Sequence, residues 1–408
     1  MRNKTEIAEF VWRCTQCGRE YARDAVRYLC PECGRGYRPG VPLPGVLEAV
    51  FDYAAIAERF VPRRPDWRLF TPMEPEHEPP YAVGNTPLVP APRLAARLGW
   101  GEIWIKNDGL NPSGSLKDRA SFLVAAEARR LGERTVVVAS TGNAASATAA
   151  VCAAAGLEAV IFVPAAAPRA KLVQMVQHGA RVVPVRGTYD DAFRLSLEYT
   201  AARGGLNRNT AYHPLTIEGK KTVGFEIFAQ YGGQAPEAIL VPVGDGVILA
   251  GVYKAFADLR AAGAIERLPR LVAVQAERSD AIHRYIATGE YRDAADPRTV
   301  ADSISVRTPS NAELARRAVM ESGGFSLTVS DAEILEAQTL LAATTGVFAE
   351  PAAAAVAAGL ARVAAERRLD PAAPVVLLVT GHGLKDIDAA MTGLSLPEPI
   401  PPELDAVP

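Results

Sequence analysis

An alternation narrows what this chain can fold into more than any other feature. Seven short apolar runs, IWIK, TVVVAS, AVIFVP, RVVPV, AILVPV, LVAVQA and VVLLVT, each lie near the start of a loop or helical stretch, in a chain that is Ala-rich between them from Val83 onward. Continuous apolar strands alternating with helices are the pattern of parallel sheets covered on both faces. The expected fold class is therefore α/β, in two doubly wound domains with mainly parallel sheets. In this reading the runs from Val136 to Val185 form one smaller sheet, and the later runs join residues before 115 in another. At roughly 100 to 200 residues per domain, a chain of 408 residues has room for both and for an N-terminal unit. The expected boundaries are 12–40 for that unit, 41–121 with 206–408 for the large domain, and 122–205 for the small one.

The N-terminal unit is defined by cysteine spacing. Four of the five cysteines form two Cys-x-x-Cys knuckles, Cys14 with Cys17 and Cys30 with Cys33. Each knuckle lets two thiolates converge on one ion, and four sulfurs close a tetrahedral zinc site with no position left for substrate, so the metal expected here is structural. Reduced, unrelated thiols or two disulfides are the alternatives, the latter disfavoured in a cytoplasmic chain. Cys152, in AAVCAAAG, reads as a small buried apolar residue. A Pro-rich connector follows, roughly residues 40 to 82, with a short helix expected over Val46 to Arg59, and the Pro-rich end LSLPEPIPPELDAVP reads as a surface arm.

Charge excludes some functions. The 44 basic and 46 acidic residues leave a net −2, which draws the chain neither to nucleic acid nor to an anionic membrane. The Ala-rich run from Ala144 to Pro164 is broken by Glu158 and reads as helix, turn and strand rather than a membrane span. The start, MRNKTEIAEFVWRC, lacks a signal-peptide core, and a cytoplasmic location is expected.

Four blocks carry chemistry. In IKNDGLNPSGSLKDRAS a strand runs into a Ser/Gly loop and Lys117 opens a helix. The macrodipole disfavours a cation there, and a partly neutral amine attacks aldehydes, although an ordinary surface lysine fits the same place. In TVVVASTGNAASATAA, Ser140, Thr141, Gly142 and Asn143 precede a helix, as an anion site or a plain cap would require. In AILVPVGDGVILAGVYKAF, Gly244, Asp245 and Gly246 make a turn whose amides can close on a phosphate, provided Asp245 turns outward or grips a cation. In VVLLVTGHGLKD a strand delivers Thr380 to a glycine loop whose His382 suits a structural hydrogen bond better than a general base.

Taken in order, GNTPL, NPSGSLKDR, STGN, EGKKT, VPVGDG, ADSISV, FAEPAAAA and TGHGLKD resemble the threonine synthase family of fold-type II pyridoxal-phosphate (PLP) enzymes over nearly the whole chain after the cysteines. Many members also carry an N-terminal cysteine ribbon. The resemblance implies that Lys117 holds the cofactor covalently and shuttles protons, and that Asn143 bonds its phenolic oxygen. It implies that Ser140, Thr141 and Gly142 take the substrate carboxylate, that Gly244, Asp245, Gly246, Val247 and Ile248 hold the cofactor phosphate, and that Thr380 faces the pyridine nitrogen. A hydroxyl there tempers the electron sink and favours elimination or replacement at the β or γ carbon. The implied cofactors are PLP and structural zinc, and the implied partners are a small amino-acid substrate and a second copy of the chain, with no nucleic acid and no membrane.

The chain departs from the family in three places. Its phosphate loop usually reads Gly-Asn-x-Gly-Asn, its STGN is followed by Thr where Ala144 stands, and a Ser and an Arg stand where Ala211 and Thr216 align. Thr216 cannot replace the charge of a guanidinium on a leaving phosphate. Lys220, Lys221 or Arg307 is expected to supply it; otherwise the substrate is not O-phosphohomoserine. The expected activity is threonine synthase. The alternatives are a β-eliminating or β-replacing relative, such as a cysteate synthase, threonine dehydratase or diaminopropionate ammonia-lyase, and a zinc-ribbon adaptor on a degenerate enzyme scaffold. A scaffold has no need of Lys117, Asn143 and Thr380.

Overall fold

The computed structural model describes residues 7–62, 66–165, 167, 169–392, 394 and 396–407; residues 1–6 of the start, 63–65 of the connector and 395 and 408 of the Pro-rich end lie outside these. The strands are β1 Phe10–Cys14, β2 Glu20–Tyr21, β3 Leu47–Phe51, β4 Leu88–Pro90, β5 Ile103–Asn107, β6 Thr135–Ala139, β7 Glu158–Pro164, β8 Arg181–Val185, β9 Leu206–Asn207, β10 Ala238–Pro242, β11 Arg270–Ala276, β12 Phe325–Val329 and β13 Val375–Val379. They form three sheets. The largest has the order β12-β11-β10-β13-β5-β4, parallel except for the β4 edge. The second, β8-β7-β6-β9, is wholly parallel. All seven expected apolar runs are strands of these two sheets, and β10 and β13 are buried at every residue, as strands covered on both faces must be. The one proline inside β8, Pro184, sits on an edge strand, where a missing N–H is tolerated.

The third sheet, β2-β1-β3, is antiparallel and corrects two expectations. The N-terminal unit does not end at residue 40, because β3 pairs along the whole of β1, from Phe10 opposite Phe51 to Cys14 opposite Leu47. Nor is Val46 to Arg59 one helix. Leu47, Ala49 and Phe51 are buried alternately, the period of a strand, and the helix begins only at Tyr53, capped by Asp52. The small sheet likewise reaches past residue 205 to Asn207 of β9.

Sheet order places the chemistry. β10 leads outward to β11 and β12, while its other neighbour, β13, borders β5, so the connections diverge between β10 and β13. Ligands of open parallel sheets bind outside the carboxyl ends of the strands at such a point. The loops after β10, β13 and β5 open there, and the loop after β6 of the small sheet faces them.

Candidate active site

Lys117, Asn143, Gly244, Asp245, Gly246, Ile248, Ser303, Glu350 and Thr380 line one pocket. Four helices begin on its wall: Lys117–Arg130, Asn143–Ala155, Val247–Ala261 and Pro351–Glu366. Their free N–H groups and dipoles favour an anionic ligand.

Lys117 is held by its neighbours. Arg119, fully buried, forks onto Asp108 at 2.6 and 2.9 Å and onto Glu226 at 2.7 Å with each terminal nitrogen. Asp118 accepts from the Ser113 amide at 2.8 Å and from the Ser113 hydroxyl, which ties the loop back over the helix start; burial pushes its carboxyl up to about 6. Between these two anchors Lys117 has no hydrogen-bond partner among the described residues, as an amine awaiting a ligand would have none.

Asn143 donates through Nδ2 to both carboxylate oxygens of Glu350, at 3.1 and 2.9 Å, and to Ser303 Oγ at 3.3 Å. Glu350 is a site residue that sequence reasoning missed. Burial pushes its carboxyl above the usual range, against the Asn143 amide and the charges of Lys385 and Lys117. The signal was present in FAEPAAAA, but a Glu before Pro reads as a helix cap. Gly381 lies so close that an added Cβ would stand 2.4 Å from the Glu350 carboxyl, so glycine is required there.

The loop after β10 is a tight cradle. A Cβ on Gly244 would stand 2.9 Å from Ile304 Cα, and Gly246 has φ +85°, open to glycine alone without strain. Asp245 neither turns outward nor makes an ion pair within 4 Å among the described residues: its Oδ1 accepts from the Val247 amide at 3.0 Å. Burial alone would raise this carboxyl, but the Lys220 and Lys117 ammonium groups and the Val247 amide overcome that and hold it at about 2. Val247 itself does not line the pocket. Its amide is taken by Asp245, and its side chain packs with Ala211, Ala250 and Leu314.

Ser140, Thr141 and Gly142 form the half-buried loop immediately before Asn143, with Ser140 Oγ accepting from the Gly142 amide at 3.3 Å. His382 is structural, its Nδ1 accepting from the Leu384 amide at 3.1 Å. Of the three cations expected to compensate Thr216, only Lys220 lies close enough for its charge to act on Lys117 and Asp245, and it does not itself line the pocket. It is fully buried, donates to Thr210 Oγ1 at 3.0 Å, and burial and Lys117 drive its ammonium well below the usual lysine range. Lys221 is instead paired with Glu218 and, at 2.9 Å, Asp258, over the Phe51 ring on the side of the N-terminal sheet. Arg307 is exposed. Thr216 is bound into its own loop, accepting from the Ala211 amide at 2.9 Å and donating to the His213 carbonyl at 2.7 Å.

The family description "pyridoxal-phosphate dependent enzyme" matches residues 80–381. The chain belongs to this family. It is 34% identical over 403 residues to the threonine synthase of Methanosarcina acetivorans, covering 97% of each chain. To that of Synechocystis it is 37% identical over 328 residues, covering 79% of this chain and 83% of the other. Among solved structures it is similar to a threonine deaminase from T.th., with TM-score 0.63 and 28% identity over 74% of this chain and 93% of that one. The diaminopropionate ammonia lyase of Escherichia coli, at TM-score 0.66 and 18% identity over 76% of this chain and 87% of that one, shares the fold.

The residues present fit the PLP of this family: an amine without a partner, an amide beside it, a glycine cradle on a helix N-terminus and the Thr380 hydroxyl surround one pocket. Away from it, the sulfurs of Cys14, Cys17, Cys30 and Cys33 lie within 4.8 Å of one another, and Cys17 Sγ is 3.8 Å from Cys30 Sγ. Sulfurs about 2.3 Å from a tetrahedral zinc are about 3.8 Å apart.

Proposed function

We propose that the protein is a PLP-dependent lyase acting as a threonine synthase, converting O-phosphohomoserine and water to threonine and phosphate. The observation that carries this reading is the convergence of Lys117, Asn143, the Gly244–Gly246 loop and Thr380 on one pocket, with Lys220 buried close enough for its charge to act on Lys117 and Asp245. The names of the relatives support it. Lys220 lies four residues beyond Thr216, one helical turn along the same face, so the charge missing at 216 returns one turn later.

In this reading the cofactor, when bound, supplies the electron sink that stabilises negative charge next to the substrate's α-carbon. The chain supplies the rest. Lys117 takes and returns protons at Nζ, the Ser140 to Gly142 loop orients the carboxylate, and Glu350 with Ser303 fixes the Asn143 amide at the pocket wall. Closure of the pocket by Ile304 and Ile248 limits water to the molecule that reacts. Cys14, Cys17, Cys30 and Cys33 hold a structural zinc, and the working unit is a cytoplasmic homodimer, checked by light scattering.

Ala144, Ala211 and Ile248 offer no polar side chain to a phosphate, which keeps a smaller β-substituted amino acid as the second reading. A panel of O-phosphohomoserine, O-phosphoserine, threonine, serine and diaminopropionate separates the two. Equal release of threonine and phosphate from O-phosphohomoserine is expected; oxo-acid from threonine or serine instead, with no phosphate released, contradicts the first reading.

A further inference from the structure

Arg208 takes no part in the site as described, yet it is fully buried, and its Nη2 has no hydrogen-bond partner among the described residues. A buried donor left unpaired is costly, more so when charged, and calls for an anionic occupant. Its position follows from two bonds. Arg208 Nε donates to Ser121 Oγ at 3.0 Å, and Ser121 lies four residues, one turn, from Lys117 on the same helix face. Thr210, two residues beyond Arg208 on the chain leaving β9, accepts from Lys220 Nζ at 3.0 Å. Arg208 is thus tied to the helix of Lys117 through Ser121, and Lys220, on the helix Leu215–Gln230, to the same segment as Arg208 through Thr210, while the Asp245 charge acts on both.

We propose that Arg208 and Lys220 form a buried receptor for the anionic group that leaves the substrate, with Asp245 as its internal counter-ion. This rests on the substrate reading above and deepens it: two cations against one carboxylate leave one net positive charge, suited to a phosphorylated amino acid. Burial lowers the Arg208 guanidinium to about 10, and Asp245 is the carboxylate that most opposes that shift. Asp245 thus offsets part of the receptor's charge while substrate is absent.

The test uses the holoenzyme, whose cofactor phosphate already fills the glycine cradle, and inorganic phosphate as the probe, with calorimetry for affinity. Arg208→Met and Lys220→Met are expected to weaken phosphate binding about tenfold or more each, and Arg208→Lys, which keeps the charge, to recover most of the loss. Asp245→Asn is expected to shift affinity the other way, tightening it about tenfold, a gain no merely structural residue would give. Phosphate bound by Arg208→Met as by the unaltered enzyme, or no phosphate bound by the unaltered enzyme at tens of millimolar, overturns the proposal. If phosphate binding follows the expected pattern but O-phosphohomoserine is not turned over, the receptor stands and the substrate reading falls. If O-phosphohomoserine is turned over with the same KM in Arg208→Met, the substrate reading stands and the receptor falls.

Discussion

Successive residues on a helix project about 100° apart, so Lys220 reaches Thr210 while Lys221 reaches Glu218, Asp258 and the Phe51 ring. Their substitutions should separate cleanly. Lys221→Met leaves Glu218 and Asp258 buried with one cation fewer, and is expected to destabilise the fold by about 3 to 5 kcal/mol while the KM of the surviving enzyme holds. Lys220→Met is expected to do the reverse, raising the KM for O-phosphohomoserine about tenfold to over a hundredfold with a small change in melting temperature. Denaturant titration beside steady-state kinetics checks both, and equal effects on stability would show that the two lysines share one role. From sequence alone the pair was indistinguishable. Arg208 was overlooked altogether, because a single Arg in the polar stretch LNRNT carries no periodicity or motif.

Close packing between elements fixes the angle of the helix that bears Lys117. Gly219 of the helix Leu215–Gln230 sits against the helix Lys117–Arg130 so closely that an added Cβ would stand 2.3 Å from the Arg119 carbonyl oxygen and 2.8 Å from Ala120 Cα. Gly219→Ala should therefore push the two helices apart, costing about 1 to 3 kcal/mol, and weaken cofactor retention, read as absorbance lost on gel filtration. At the start of the helix Leu215–Gln230, His213 is buried, its Nδ1 accepting from the Leu215 amide at 3.2 Å and its Nε2 unpartnered. Burial lowers it to about 4 from an ordinary value of 6.5, so the folded chain holds it neutral. The stability this represents, about 3 kcal/mol, is present above pH 6.5 and lost as pH falls through 4. Thermal melts between about pH 4 and 7 should show a shallower acid slope for His213→Asn; an unchanged slope would place the acid sensitivity elsewhere. Elements were legible where burial was two-sided, since such strands read as unbroken apolar runs. β12, an edge strand in which Ser326 and Thr328 interrupt the pattern, was not among them. β3 was mistaken for helix because its partner, β1, lies some 35 residues away in sequence, and only the pairing reveals the alternation.

At the scale of the whole molecule, polar bridges join the three sheets. The N-terminal sheet is fastened where the Ala49 amide donates to Glu218 at 3.1 Å and Arg317 to Glu48 at 2.7 Å, on the far side of the helix from Lys220. Four arginines of the N-terminal unit are paired with carboxylates, Arg13 with Glu20, Arg19 with Glu32, Arg23 with Glu74 and Arg27 with Glu133. Chelation of the zinc proposed at Cys14, Cys17, Cys30 and Cys33 is expected to release about one ion per chain and loosen residues 10 to 51, read as proteolytic nicking, with cofactor absorbance unchanged. Loss of absorbance together with the metal would put a metal in the active site. At the other junction, Lys385 joins the loop at Ser113 to Ser146 and Gln174 of the small unit, at 3.1, 2.8 and 2.5 Å. That bridge keeps Asn143 facing Lys117. The central claim is that Lys117 carries the cofactor in this pocket, and borohydride reduction of the purified protein followed by peptide mapping tests it most directly. A single modified peptide bearing the reduced cofactor on Lys117, absent from Lys117→Ala, is predicted; the cofactor fixed on another lysine, or an unaltered covalent band in Lys117→Ala, would contradict it.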